Sequence, residues 1–349
     1  VAISDGRDGL NVTFGFDDVG NITSLTDGGQ QGQGVALDYD AMGRLTAFKD
    51  AKTGVAIEQY SYDATGNRLF FGNSVGTQAY VYPVENHRLA SVDGIARTYD
   101  AMGNTLTVGG EWQYAYDLAG RLASATRAGS ARATYRHNAA GQRVLVHDGN
   151  ERTWHLHGEV GEWIGGYAAS GLSKQQVVWL GERPIGLVEA GKVLYIESDH
   201  LGSPRILIDP QRDVPIWRWS LLAEAFGNGG ITEDPDQDGA GQSFDLRFPG
   251  QRAEHSSGLS YNYFRDYEPL TGRYSQSDPI GLSGGASTFL YAEGYPSGLI
   301  DPYGLQGFRA PPRMGRPGGG NARQRAIHSA AQMRLISQNS HSTPIYSRG

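Results

Sequence analysis

Short runs in which apolar and polar residues alternate make up most of the chain, and glycine-containing breaks separate them. Arg44-Leu45-Thr46-Ala47-Phe48, Trp154-His155-Leu156-His157, Gln176-Val177-Val178-Trp179-Leu180 and Val193-Leu194-Tyr195-Ile196 are examples. A period near two belongs to strands with one buried face. The pattern predicts an all-β chain of many short strands. No apolar run reaches the ~18 residues that a membrane-crossing helix requires.

The breaks themselves repeat. Phe16-Asp17-Asp18-Val19-Gly20-Asn21 is followed 23 residues later by Tyr39-Asp40-Ala41-Met42-Gly43-Arg44, and after another 23 by Tyr62-Asp63-Ala64-Thr65-Gly66-Asn67. Tyr99-Asp100-Ala101-Met102-Gly103-Asn104 and Tyr116-Asp117-Leu118-Ala119-Gly120-Arg121 continue the series, and His137-Asn138-Ala139-Ala140-Gly141-Gln142 is a degenerate copy. Each unit reads as strand, turn, strand. The Asp bonds its own backbone and starts the turn, and the Gly supplies a positive φ. One such hairpin is marginal alone, so the units are expected to stack side by side.

Composition adds limits. Glycine is 50 of 349 residues with only 15 prolines, roughly twice the usual glycine share of ~7%, which favours tight turns over a disordered linker. The absence of cysteine excludes disulfides, thiolate metal sites and a cysteine nucleophile, and fits synthesis in a reducing cytoplasm. The chain does not start with Met, and Val1-Ala2-Ile3-Ser4-Asp5 does not read as a signal peptide, so a fragment is expected. Charge is uneven. Residues 306–349 hold seven arginines and no Asp, Glu or Lys, which leaves 23 basic and 37 acidic groups, or −14, on residues 1–305. An acidic body and a basic tail imply two parts with different roles.

The Tyr-Asp-x-x-Gly units resemble the YD repeats of the Rhs family, which toxin-complex C subunits, wall-associated repeat proteins and teneurins share. The resemblance covers about residues 10–305. It implies hairpins winding as part of a hollow β shell, or cocoon, closed by a C-terminal core-associated module and followed by a short non-β tail. The expected division is 1–150 for YD repeats, 151–246 for a degenerate shell segment, 247–305 for the core-associated module and 306–349 for a variable toxin region, expected to be partial.

Between the repeats and the module, three features were weighed as sites. Asp199-His200-Leu201-Gly202-Ser203-Pro204-Arg205 matches a turn common near the end of Rhs shells, so His200 is read as a turn residue bonded to backbone. His155 and His157 share one strand face, but no further zinc ligands are identifiable. Asp234-Pro235-Asp236-Gln237-Asp238-Gly239 has the D-x-D-x-D-G spacing of a calcium loop, with Asp245 at the twelfth position. Because the twelfth ligand is normally Glu and neither flank reads as a helix, the segment is read as a solvated acidic loop, with calcium as the alternative. Otherwise no metal and no cofactor is expected.

The stretch from Arg247-Phe248-Pro249-Gly250-Gln251 to Asp301-Pro302-Tyr303-Gly304-Leu305 closely resembles the Rhs core-associated module, including its P-x4-D-P-x-G-L ending. Tyr295 stands where the family has Asn. The resemblance implies an aspartic-type autoprotease with Asp278 and Asp301 as the carboxylates, Arg265 as the supporting cation and the cut at Leu305–Gln306. Two close carboxylates cannot both ionise comfortably, so one activates water while the other polarises the carbonyl. Which is which is not readable from sequence. Gly304 would let the backbone approach them closely. A purely structural reading, with both Asp-Pro pairs as turn starters, stands beside the catalytic one. Gly281-Leu282-Ser283-Gly284-Gly285 fits G-x-S-x-G but lacks the flanking strand and helix of a nucleophile elbow.

The basic tail begins at the same bond. Asn321 is placed to cap a helix through about Ser337, and His328 and His341 are candidate nuclease residues with nothing to bring them together. The arginines suit a nucleic-acid target. The resulting expectation is a polymorphic toxin shell that encloses and releases its own C-terminal effector, for interbacterial competition or host intoxication. It would be made in a bacterial cytoplasm and then secreted or delivered, with a delivery machinery and an immunity protein as partners. A toxin-complex C subunit and a non-enzymatic surface or adhesion protein are the alternatives.

Overall fold

The computed structural model describes residues 2–4, 9–28, 33–149, 151–222 and 224–309. From Ala2–Ser4 to Ile231–Thr232 the chain forms a 23-stranded sheet. Each strand pairs antiparallel with its neighbours in sequence, so the sheet is a meander in chain order. The ladder runs on past the last Tyr-Asp unit, with Leu145 opposite Trp154 and Leu156 opposite Gly165. The described residues are therefore almost all β, as the alternation predicts.

The repeated turns share one hydrogen-bond pattern. Asp40 N–H donates to Arg44 O at 3.0 Å and Gly43 N–H to Asp40 O at 2.9 Å. Asp40 Oδ1 accepts the N–H groups of Met42 and Arg44 at 2.9 and 3.0 Å. Gly43 sits at φ +79°, where a side chain would be strained. Asp17, Asp63, Asp100, Asp117 and Asn138 begin turns with the same backbone bonds. So do Gly158, Ala168 and Asp199, which lack the full signature in sequence. The tyrosine ties a turn to the one before it. Tyr39 donates to Ile22 O at 2.7 Å, and Tyr116 to Thr105 O at 2.9 Å. His157 occupies the tyrosine's role, its Nε2 3.0 Å from Arg143 O.

The meander rolls around the segment that follows it. Arg252–Glu254, Leu259–Asn262, Arg265–Glu268 and Arg273–Tyr274 form a separate four-stranded sheet, nearly every residue of which is buried. Turns and strands of the meander contact it and its loops from several sides. Ile22 N–H donates to the Tyr295 hydroxyl at 3.0 Å, Arg273 to His87 O at 2.6 Å, Thr105 N–H to Ser275 O at 2.9 Å and Tyr263 to Ala140 O at 3.1 Å. Two buried ion pairs lock the arrangement: Arg97 with Glu268, each bond 2.7 Å, and Arg143 with Asp266 at 2.7 Å. Pairs this deep hold a geometry more than they add stability, because both charges lose water. The meander also returns near its start. Leu10 N–H reaches Glu197 Oε2, and the Phe14 ring lies 4.7 Å from the His200 ring. No ladder joins first and last strands among the described residues, so the shell is not closed.

Candidate active site

Asp301 opens a turn of the repeated kind. Its Oδ1 accepts Leu305 N–H at 2.8 Å and Gln306 N–H at 3.2 Å. Gly304 N–H returns to Asp301 O at 3.3 Å, and Gly304 lies at φ +65°. A Cβ there would stand 2.5 Å from Asn262 O, so glycine serves both conformation and close approach, as the sequence suggests. Beyond the turn, Phe308–Arg309 pairs antiparallel with Leu299–Ile300.

The hairpin Asn262–Arg265, closed by Tyr263 at φ +54°, delivers Arg265 into the same space. Arg265 Nη2 lies 3.0 Å from Asp278 Oδ2 and 3.3 Å from Asp301 Oδ2. Its Nε donates to Gly304 O and its Nη1 to Thr288 O at 3.1 Å. Asp278 is anchored by its own N–H on Thr288 O at 2.8 Å and by Ile280 N–H on its Oδ1 at 2.9 Å. All three sequence-selected residues are thus together and buried, at 2% exposure for Arg265 and Asp301 and 8% for Asp278.

Sequence reasoning missed two further members. The Tyr274 hydroxyl donates to Asp301 Oδ2 at 2.7 Å, and its ring centroid lies 3.6 Å beneath the Arg265 guanidinium. Asn262 Nδ2 donates to the Tyr274 oxygen at 2.8 Å and to Asp301 O at 3.0 Å. Burial pushes the Asp278 carboxyl up to about 6; Arg265 and Ile280 N–H draw it down, and the Asp301 charge pushes it up again. Burial, then the charge of Asp301, also lifts the Tyr274 phenol well above its ordinary value, so it stays a donor.

The Leu305–Gln306 peptide lies within about 5 Å of both carboxylates. Its N–H is on Asp301. The Leu305 oxygen and Asp278 Oδ2 lie 2.4 and 2.5 Å from the point where a Cβ on Gly284 would stand, so they are at most about 5 Å apart. A water taken up beside this peptide would have one carboxylate able to accept its proton and another able to give one to the carbonyl.

The other sequence candidates do not converge on a site. Asp234, Asp236 and Asp238 do gather within 4.8 Å. Asp245 does not join them; it pairs with His255 at 2.9 Å, because its segment leads into the hairpin opposite Arg252–Glu254. Arg212 Nη1 already lies 2.7 Å from both Asp236 and Asp238, so the four-ligand calcium grouping is not formed. His200 Nε2 is 2.7 Å from Ser297 O, in keeping with a backbone-bonded turn histidine. His155 Nδ1 accepts from Trp163 at 3.1 Å, and burial lowers the pKa of both His155 and His157. Gly281–Gly284 is a short 3-10 turn rather than a strand-to-helix elbow. The helix expected over 321–337, His328, His341 and every tail arginine except Arg309 lie outside the described residues. Among the described residues no helix is long and apolar enough to cross a membrane.

Comparison with known proteins agrees with this architecture. The teneurin YD-shell family model matches residues 3–156. Double-stranded DNA deaminase toxin A of Burkholderia cenocepacia (strain H111) is 38% identical over 122 residues, 34% of this chain and 8% of that protein. Toxin protein Tse5 of Pseudomonas aeruginosa is 28% identical over 73% of this chain and 24% of its own length. The crystal structure of TcdB2-TccC3 superposes with a TM-score of 0.64 at 16% identity, covering 85% of this chain and 17% of that one. The chain therefore spans less than a quarter of each of these relatives. Repeat, rolled meander and matches together show a YD-repeat β-shell fold, similar to the teneurin YD-shell family over residues 3–156 and to the toxin protein Tse5 over 73% of the chain.

Proposed function

We propose that this chain is the C-terminal shell portion of an Rhs-type polymorphic toxin that cuts its own Leu305–Gln306 bond and so frees the segment after it. The observation that carries the reading is the peptide itself, with its N–H on Asp301 and its carbonyl oxygen beside Asp278. Residues 1–246 would form the shell wall, 247–305 the cutting module and 306–349 the start of the effector.

The donors divide the roles. Asp301 accepts from Tyr274, Arg265, Leu305 N–H and Gln306 N–H, so both of its oxygens act as acceptors. Asp278, raised to about 6, is the group that holds a proton. Below that pH one arginine balances one negative charge, so the buried centre is neutral overall. Asp301 takes a proton from water as its oxygen adds to the Leu305 carbonyl carbon, and Asp278 gives its proton to the carbonyl oxygen. The new alcohol oxygen returns that proton to Asp278 as the C–N bond breaks, and Asp301 passes its own to the Gln306 nitrogen. Arg265 steadies both carboxylates throughout.

Expression of the complete reading frame tests this. Two species are expected, the smaller starting at Gln306, while Asp278→Asn and Asp301→Asn stay whole. An intact wild type overturns the reading. The cleavage rate should fall as pH rises through about 6, because Asp278 must be protonated to act.

The basic tail would suit a nucleic-acid target. Delivery into a competitor or host cell, and an immunity protein that binds residues after 305, complete the reading. A toxin-complex C subunit is the second reading, favoured by the shell likeness to TcdB2-TccC3; the region preceding this chain in its gene separates the two. A non-enzymatic adhesion role leaves the buried Asp278–Arg265–Asp301 arrangement without a purpose.

A further inference from the structure

We propose that Tyr274, oriented by Asn262, is a positioning residue that fixes which of the two aspartates carries the charge; this deepens the proteolytic reading above and rests on it. Asn262 faces the main-chain oxygen of Asp301 at 3.0 Å and the Tyr274 oxygen at 2.8 Å through one side-chain atom. A carbonyl oxygen only accepts, so that atom is the amide NH2. The Tyr274 oxygen is therefore an acceptor on that side, and its own proton is left for Asp301 Oδ2 at 2.7 Å. The one-way chain Asn262 to Tyr274 to Asp301 ends on an oxygen that must accept.

The two carboxylates differ in what surrounds them. Asp301 has donors on both oxygens: Tyr274 and Arg265 on Oδ2, and two backbone N–H groups on Oδ1. Asp278 has Ile280 N–H on one oxygen and the shared Arg265 on the other. The charged and titratable groups facing Asp301 are Arg265, Asp278, Tyr274 and Tyr291. Arg265 touches both aspartates, so it cannot tell them apart. Among the described residues the Tyr291 hydroxyl has no hydrogen-bond partner. Of these four, Tyr274 is the donor that reaches Asp301 alone.

Tyr274→Phe removes this donor and keeps the ring under Arg265. Precursor is captured by quenching cell-free synthesis into denaturant, then refolded into a pH series while the smaller species is followed. Asp301 accepts the proton from water in this reading, so the acid limb of the cleavage profile reports on that carboxylate. Losing one hydrogen bond to a charge should move that limb up by about one pH unit and slow the optimum about tenfold, with the alkaline limb of Asp278 unmoved. Asn262→Ala, which frees the hydroxyl to turn, should move the same limb in the same direction by less. A Tyr274→Phe protein that folds and cuts with the wild-type pH profile overturns the proposal. If that variant does not fold, the Asn262→Ala profile decides, and an unmoved acid limb overturns it. Asp278→Asn and Asp301→Asn run in parallel: cutting by either at the wild-type rate sinks the proteolytic reading itself, whereas their silence beside an unshifted Tyr274→Phe profile sinks only the role of Tyr274.

Discussion

The turns at Asp40 and Asp301 share a carboxylate cap and a glycine in two different settings. In each, the aspartate accepts the N–H four residues on, and a glycine three residues on sits at positive φ. At the rim Asp40 is partly in water and pairs with Arg44, a neighbour in its own turn. Slight burial works against its charge, but Arg44 and the backbone N–H groups outweigh it and lower the pKa. At the centre Asp301 is buried, shares its arginine with Asp278, and has a peptide bond on its acceptor oxygen. Turn geometry is therefore not what distinguishes the aspartate proposed to react. Removal from water and a second carboxylate are.

The sharpest way to break this comparison is to make one change in both settings. Asp301→Asn should lower cleavage by at least about a thousandfold, since it removes the group that moves the proton. Asp40→Asn should leave cleavage at the wild-type rate; gel assay of the cut species reads both. The arginines come next. Arg265→Met leaves two buried carboxylates facing each other and should cost about 3–5 kcal/mol by denaturant unfolding. Arg44→Met breaks a single pair and the bond to Asp63 O with no second carboxylate nearby, and should cost less, about 1–3 kcal/mol. The glycines sharpen the contrast further. Gly43 has open space where a Cβ would go, so Gly43→Ala should cost only the φ strain, about 1 kcal/mol. Gly304→Ala adds a clash with Asn262 O and should stop cleavage as well. The smallest effect is on acid stability. Asp40 has a lowered pKa, so its contribution is present above the ordinary carboxylate range and is lost as pH falls through the folded value. Asp40→Asn should therefore flatten the loss of thermal stability on acidification slightly.

The rim was legible because each unit spells out its own turn, and the alternation between turns gives the strands. The copies at Gly158 and Ala168 escaped because their first residue has no Asp carboxylate to cap the turn. A glycine at the fourth turn position, Gly161 and Gly171, was the remaining signal. At the centre, Asp278, Asp301 and Arg265 came from resemblance, and the folded chain brings them within reach of one guanidinium. Tyr274 and Asn262 were not legible. Their meeting depends on strand register, Asn262 opposite Arg265 and Tyr267 opposite Tyr274, which no spacing along the chain encodes. The same blindness produced Asp245 as a twelfth ligand: counting residues ignored the hairpin that carries it to His255.

Because every strand of the meander pairs with the one made just before it, the wall can assemble in the order of translation, with little waiting for distant partners. The Asp278–Arg265–Asp301 centre cannot. Its residues come after the wall in the chain and are held by contacts to turns as far back as Ile22, His87, Thr105 and Ala140. Scission under the proposed chemistry would then mark a moment as well as a place: the bond would break only once the ribosome had delivered a finished wall, and a misassembled molecule would keep the segment after Leu305 tethered.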